Sequence, residues 1–262
     1  MKFCSFASGS SGNCFYIASQ DTKLLIDVGI SGKRVTNSLK EVDARGEELD
    51  GILVTHDHID HIKGVGIVSR KYKIPIYANS STWKAMAGSI GEVHPDHIRY
   101  FESDRPFEIK DLRIEPFRTS HDAVDPVGFS ISGNNKKISV ATDLGVIDDT
   151  LLENLYGSDL VVLEANHDVQ MLTVGPYPYF LKRRILSNQG HLSNESAGRA
   201  LVKLVQKGLT RVLLAHLSKE NNFPELAYQT VHNILAENSI GMDRDISIEI
   251  AQREKLSPIY SL

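Results

Sequence analysis

Thr55-His56-Asp57-His58-Ile59-Asp60-His61 (THDHIDH) places three histidines and two aspartates in seven consecutive positions, directly behind the apolar run DGILV at 50–54. The run is rich in β-branched and aliphatic residues and reads as a buried strand that ends where the cluster begins. Rigid scaffolds carry their chemistry on loops at strand ends, so the cluster is read as a metal or catalytic site and not as a core feature. Two imidazoles spaced His-x-His in extended chain point to one side, and imidazole nitrogen and carboxylate oxygen are the usual donors to zinc, manganese and iron. Asp60 and His61 follow one short turn later and can face a second point roughly 3.5 to 4 Å away, the separation of a two-metal site. The motif therefore reads as half of a dinuclear centre; the bland alternative is a solvated polar turn.

Outward from this point, strand and helix patterns alternate. Upstream, 2–6, 14–18 and 23–28 (KLLIDV) predict an antiparallel meander joined by a Gly/Ser turn and by SQDT. Downstream, 59–72 predicts a helix, 74–79 a strand, and SSTWKAMAGSI a short helix starting behind serine caps. FEIKDLRIEPF (107–117) alternates around a Lys110-Asp111 turn, and VGFSISGNNKKISVA (127–141) reads as a hairpin around GNNK. DLVVLEA (159–165) and TRVLLAH (210–216) are apolar strands, with helices over 194–206 and 224–238 and a last strand over 246–251. This pattern predicts an α/β fold of two packed sheets flanked by helices on their outer faces, a four-layer sandwich. No repeat, low-complexity segment or linker interrupts it, so residues 1–262 are read as a single domain.

Composition narrows the classes. With 262 residues, 41% of them hydrophobic, the chain can bury a sizeable core. No run of about 18 apolar residues occurs, and MKFCSFASGSSGNC lacks the apolar centre of a signal peptide, which together predict a cytoplasmic protein that does not enter a membrane. The two cysteines, Cys4 and Cys14, flank a Gly/Ser turn and are read as small buried hydrophobes of a reducing compartment, not as a disulfide. A net charge of -4 argues against a broadly basic surface, yet allows a nuclease whose positive charge is confined to one groove.

THDHIDH resembles the HxHxDH signature of the metallo-β-lactamase fold. In chain order, His121 in RTSHD, Asp143 in VATDLG and His216 in LLAHLS resemble that family's later metal-binding motifs. The resemblance implies a four-layer αββα sandwich of two mixed β-sheets flanked by helices. It also implies two divalent metal ions, with His56, His58 and His121 on one, Asp60, His61 and His216 on the other, and Asp143 bridging. Taken singly, His121 could be a loop residue, Asp143 a turn or cap, and His216 a polar group at a strand end. Asp27 in LLIDVG matches the family's early strand-end aspartate, whose implied role is to orient the ligands; a simple turn residue is the rival reading.

Function is argued from what surrounds the metals. Glu164 in VLEANHD and His191 in QGHLSNES resemble the glutamate and histidine that the nucleic-acid-cleaving branch of the fold sets near the scissile phosphate. The implied chemistry is attack on phosphorus by a hydroxide bridging the two ions, while His191, held by Glu164, protonates the departing sugar oxygen. Asp60 joins these two in the candidate catalytic set, and His167 is a weaker candidate for the same pocket. The bland alternatives are a buried, paired Glu164 and a His191 that caps or precedes a helix. With no cysteine near the ligand set and no export signal, a secreted lactam hydrolase is disfavoured.

Between Glu164 and His191, the stretch MLTVGPYPYFLKRRILSNQGH sets Tyr177, Tyr179 and Phe180 before Lys182, Arg183 and Arg184, the makeup of a surface that stacks bases and neutralises phosphates. An ordinary packed helix would read the same way. SGSSGN at 8–13, with Ser10 and Asn13, could offer backbone N–H groups to a phosphate. His94, His97 and His232 are assigned no role. Taken together, SGSSGNC, LLIDVG, THDHIDH, TSHD, VATDLG, LEANHD, GHLSN and AHLS resemble the YycJ/WalJ (VicX) family, which implies a 5′-to-3′ DNA exonuclease linked to DNA repair and working with manganese or zinc. The short segments between motifs leave no room for the inserted domain of the larger RNA-processing relatives. Residues alone reach a dinuclear hydrolase of phosphodiesters. The alternatives are a hydrolase of small substrates (a cyclic-nucleotide phosphodiester or a thioester) and a non-enzymatic regulator, against which the intact ligand set speaks. Oligomeric state is not encoded in any of these features.

Overall fold

In the computed structural model, which describes residues 1–262, the strands fall into two mixed seven-stranded sheets flanked by helices, as the alternating patterns predict. The chain divides into two units, the first made of Met1–Arg118, Ala123–Lys136 and Gln252–Leu262, the second of Thr119–Asp122 and Lys137–Ala251.

In the first unit, β1 (Lys2–Ala7), β2 (Cys14–Ala18) and β3 (Lys23–Ile26) form the expected antiparallel meander. Helix α1 (Gly32–Glu41), which the sequence reading did not assign, starts at Ser31, whose hydroxyl accepts the N–H of Arg34. Strand β4 (Gly51–Leu53) continues from β3 in parallel and carries the DGILV run. The helix predicted over 59–72 is broken into α2 (Ile59–Ile62) and α3 (Val65–Tyr72). Gly64 is the cause: its N–H donates to the Val28 carbonyl at 2.7 Å, and a Cβ there would lie 2.2 Å from the Ile30 carbonyl oxygen. Strands β5 (Ile76–Ala78) and β6 (Ile98–Tyr100) extend the parallel run.

Between them, α4 (Ser80–Ile90) is capped by Asn79, which accepts the Thr82 N–H at 2.8 Å, and not by the serines expected from sequence. The serines fall inside the first turn because β5 ends only one residue before Asn79. β7 (Phe107–Ile109), β8 (Leu112–Arg118) and β9 (Val127–Gly133) are antiparallel. The turn after β9 holds Asn134 and Asn135 at φ 51° and 59°, the two left-handed residues a type I′ turn needs. A C-terminal strand, Tyr260–Ser261, pairs with β1. The core of this unit gathers Phe6, Tyr16, Leu25, Ile52, Val54 and Trp83, together with both cysteines, which are free and buried as expected.

The second unit is built on four parallel strands, β10 (Lys136–Ala141), β11 (Leu160–Glu164), β12 (Arg211–Ala215) and β13 (Ser247–Ile250). The middle two are nearly continuous aliphatic runs, as strands covered on both faces must be. Around them lie α5 (Asp149–Leu155), α6 (Val169–Val174), α7 (Tyr179–Ile185), α8 (Asn194–Gln206) and α9 (Pro224–Glu237). No helix is long and apolar enough to cross a membrane.

Candidate metal centre and catalytic groups

Parallel pairing of β3 with β4 brings Asp27 beside Thr55 at the carboxyl ends of both strands. Asp27 is fully buried, and each of its oxygens is used. Oδ1 accepts the Thr55 N–H at 2.9 Å; Oδ2 accepts the Thr55 hydroxyl at 2.8 Å and His61 Nδ1–H at 2.7 Å. Because the Thr55 hydroxyl donates to Asp27, it accepts from His56 Nδ1–H at 2.9 Å. Both histidines thus carry their proton on Nδ1 and keep the Nε2 lone pair, the tautomer a metal ligand requires. The ring centroid of His56 lies 4.7 Å from that of His58 and 4.1 Å from that of His61, and His61 Nε2 is 3.8 Å from Asp60 Oδ2.

The loop is clamped through its backbone. Asn13 N–H donates to the Asp60 carbonyl, Val28 N–H to that of His61, and Gly29 N–H to that of Asn13, each at 2.8 Å. A Cβ on Gly29 would sit 1.6 Å from the Asp60 carbonyl oxygen, so only glycine lets the chains approach this closely. Asn13, expected on a phosphate-binding turn, belongs instead to this clamp. Its side chain is fully buried, with Nδ2 2.9 Å from His61 Nε2 and Oδ1 accepting the Gly9 N–H. Ser10 alone of that pair is exposed.

In the second unit, the parallel strands β10, β11 and β12 deliver Asp143, Glu164 and His216 to one edge, their carboxyl ends, where open α/β sheets form their sites. Glu164 is fully buried and saturated. Oε1 accepts Nδ1–H of His216 at 2.7 Å and of His191 at 2.8 Å, while Oε2 accepts the N–H groups of Leu144 and Leu192 at 3.0 and 3.1 Å. Burial alone would push its carboxyl up, but the charge and hydrogen bonds of His191 and His216 prevail and hold it well below the usual carboxylate range. His121 donates Nδ1–H to the Gly190 carbonyl at 2.9 Å, which again leaves Nε2 unprotonated, and burial outweighs that hydrogen bond and the neighbouring carboxylates to lower its pKa. Asp143 Oδ1 is 3.8 Å from His121 Nε2 and 3.4 Å from His216 Nδ1. Donor atoms of Asp143, Glu164, His191 and His216 lie within 4.8 Å of one another.

Three of these residues, Asp27, Asp143 and His216, hold left-handed backbone at φ 57°, 57° and 55°. Such a conformation costs a non-glycine residue on the order of 1 kcal/mol, and here it turns the side chain off the end of its strand. Imidazoles anchored through Nδ1–H, with Nε2 as the unprotonated nitrogen and carboxylates beside them, are donors suited to a divalent cation of the zinc or manganese kind, so the residues present fit the implied metals.

His191, the expected acid, keeps 20% of its side chain exposed. His167 does not fit a catalytic role: it is 1% exposed, neither ring nitrogen has a hydrogen-bond partner, and burial pushes its pKa down to about 4. On α7, Tyr179 and Phe180 stand in solvent, and Tyr177, just ahead of the helix, is half-buried. Lys182 donates to the Thr173 carbonyl, and Arg184 pairs with Asp122. The sequence reading missed three contributors: Thr55, which links Asp27 to His56; Asn166, whose Nδ2 holds the His216 carbonyl at 2.8 Å; and the Gly190 carbonyl on His121. Thr55 and Asn166 lie within quoted motifs, but as small polar residues they carry no signal of their own.

Comparison with known proteins agrees with this geometry. The family described as "Beta-lactamase superfamily domain" matches residues 22–217. The chain is 41% identical over 263 residues to the Exodeoxyribonuclease WalJ of Streptococcus pneumoniae serotype 2, covering 100% of this chain and 98% of that protein. It is 40% identical over 248 residues to the Exodeoxyribonuclease YycJ of Bacillus anthracis, covering 95% and 94%. Among solved structures, the metallo-β-lactamase fold protein YhfI from Bacillus subtilis superposes with a TM-score of 0.71 at 16% identity, over 98% of this chain and 99% of that one. The chain belongs to the WalJ/YycJ family of the metallo-β-lactamase superfamily, and it is a metal-dependent hydrolase of that fold.

Proposed function

We propose that this protein is a dinuclear-metal phosphodiesterase that removes nucleotides from the 5′ end of DNA in the cytoplasm, as a step of DNA repair, with residues 1–262 working as one hydrolase domain. In this reading His56, His58 and His121 hold one cation, Asp60, His61 and His216 the other, and Asp143 bridges; manganese and zinc both suit these donors. When bound, the cations supply a water made nucleophilic at neutral pH and Lewis-acid stabilisation of the phosphoryl oxygens.

The observation that carries the reading is Glu164, whose Oε1 accepts from both His216 and His191. One buried anion thereby couples a metal-ligand candidate to an imidazole with no place in the ligand set. Held by Nδ1, His191 has Nε2 left to deliver a proton to the departing sugar oxygen, and Glu164 stabilises the imidazolium before transfer. Asp27, Thr55 and Gly190 keep the histidine rings in the ligating tautomer. The names of the relatives at 40–41% identity support DNA as the polymer.

The test incubates purified protein and Mn²⁺ or Zn²⁺ with duplex DNA, single-stranded DNA and RNA labelled at either end, beside an Asp143→Ala control. Release of nucleotides from the 5′ end of DNA, lost in the control, is the expected result. Intact polymers, with turnover of a simple phosphodiester or thioester, would leave only a small-substrate hydrolase.

A further inference from the structure

Helix α7 presents an unusual face. Tyr179 and Phe180 are 76% and 73% exposed, flanked by Val174 at 81% and Leu186 at 48%. Four large apolar side chains within thirteen residues are left in water, although only Ile185 of the helix is buried. Large exposed apolar patches on soluble proteins mark surfaces that something else covers.

Charge identifies the occupant. Residues 169–190 contain three basic and no acidic side chains, in a chain of net charge -4. Arg184 is offset by Asp122, and Lys182 is tied to the Thr173 carbonyl. Arg183 lies 5.9 Å from the centroid of Tyr179, an i, i+4 pair on one face. A second copy of the chain in two-fold pairing would set this positive segment against itself, which costs energy. A polyanion with flat, stackable groups is favoured instead.

Resting on the nuclease reading, we propose that Tyr179 and Phe180 form a stacking platform for the unpaired bases of a nucleic-acid strand, with Arg183 extending it as a third flat group. Bases inside a duplex hide their faces in the helical stack, so the platform selects frayed or single-stranded ends. With two of its three cations engaged within the protein, its hold depends on stacking more than on phosphate neutralisation. Loss of the aromatics should therefore weaken binding without changing its salt dependence.

The experiment measures fluorescence anisotropy of a labelled, phosphorothioate-linked 12-mer, single-stranded and as a blunt duplex, at two salt concentrations. Wild type is compared with the Tyr179→Ala/Phe180→Ala pair and with Phe180→Trp. Preference for the single strand is expected, with a loss of about tenfold or more in the alanine pair, an unchanged salt slope, and binding retained in Phe180→Trp. The Tm and circular dichroism of the alanine pair should match wild type, because both side chains already stand in solvent. Equal affinity of wild type and alanine pair for the single strand overturns the platform. So does a dimer, or affinity for anionic lipid vesicles, that vanishes in the alanine pair while strand binding persists. Failure of wild type to cut any end-labelled polymer would instead sink the nuclease reading, which separates the two.

Discussion

Asp27 accepts from Thr55 and from His61 inside a fully buried pocket, so its charge sets the proton position on two imidazoles. Asp27→Asn keeps the shape but replaces an acceptor by a donor, facing either the Thr55 N–H or both His61 Nδ1–H and the Thr55 hydroxyl. Metal affinity should fall about 10- to 100-fold, read by chelator competition; unchanged affinity would show that the ring is held by other contacts. His167 supports a pH prediction. Its burial disfavours the charged form and lowers its folded pKa to about 4, below the unfolded value of 6.5. Between these values the unfolded chain binds the proton and the folded one does not. Stability is therefore whole above about pH 6.5 and declines as pH falls toward 4, by on the order of 3 kcal/mol in all. Denaturant unfolding of His167→Leu should lack that part of the decline; parallel pH curves for the two proteins would refute the assignment.

Caps and junctions act at the scale of whole elements. Asn79 ends β5, caps α4 through Oδ1 and donates Nδ2 to the Asp125 carbonyl at 2.8 Å. Asn79→Ala should cost about 1 to 2 kcal/mol in denaturant unfolding, while Ser80→Ala, inside the first turn, should leave stability nearly unchanged. The reverse ranking would restore the serine cap read from sequence. Gly29 is less tolerant: the alanine methyl must displace the Asp60 backbone, so Gly29→Ala should lose metal and stability together. Helix 59–72 and the cap of α4 share one reason for being misread. Periodicity reports which face is apolar, but a break at Gly64 or a cap at Asn79 depends on backbone arriving from Val28 or Asp125, far away in the chain.

Across the whole molecule, metal binding should couple to folding. Ligands that bind only the native state stabilise it by mass action, about 2.7 kcal/mol at a hundred times Kd, so treatment with EDTA should lower Tm and Mn²⁺ or Zn²⁺ should restore it. A Tm indifferent to both, with no metal in the purified protein, would count against the ligand set. By itself the sequence determined the class of fold and most of its strands, and it singled out the His and Asp residues at their ends. These follow from residue type and spacing: aliphatic runs make buried strands, and imidazoles with carboxylates at strand ends are too costly to keep without a task. Only the tertiary structure decided that Asp27 serves His61 directly and His56 through Thr55, that Asn13 is a buried clamp, that His167 is sealed off, and that α7 shows its aromatics to water with two of its cations already engaged. Those outcomes turn on hydrogen-bond partners and burial set by distant segments, which local patterning of the chain does not specify.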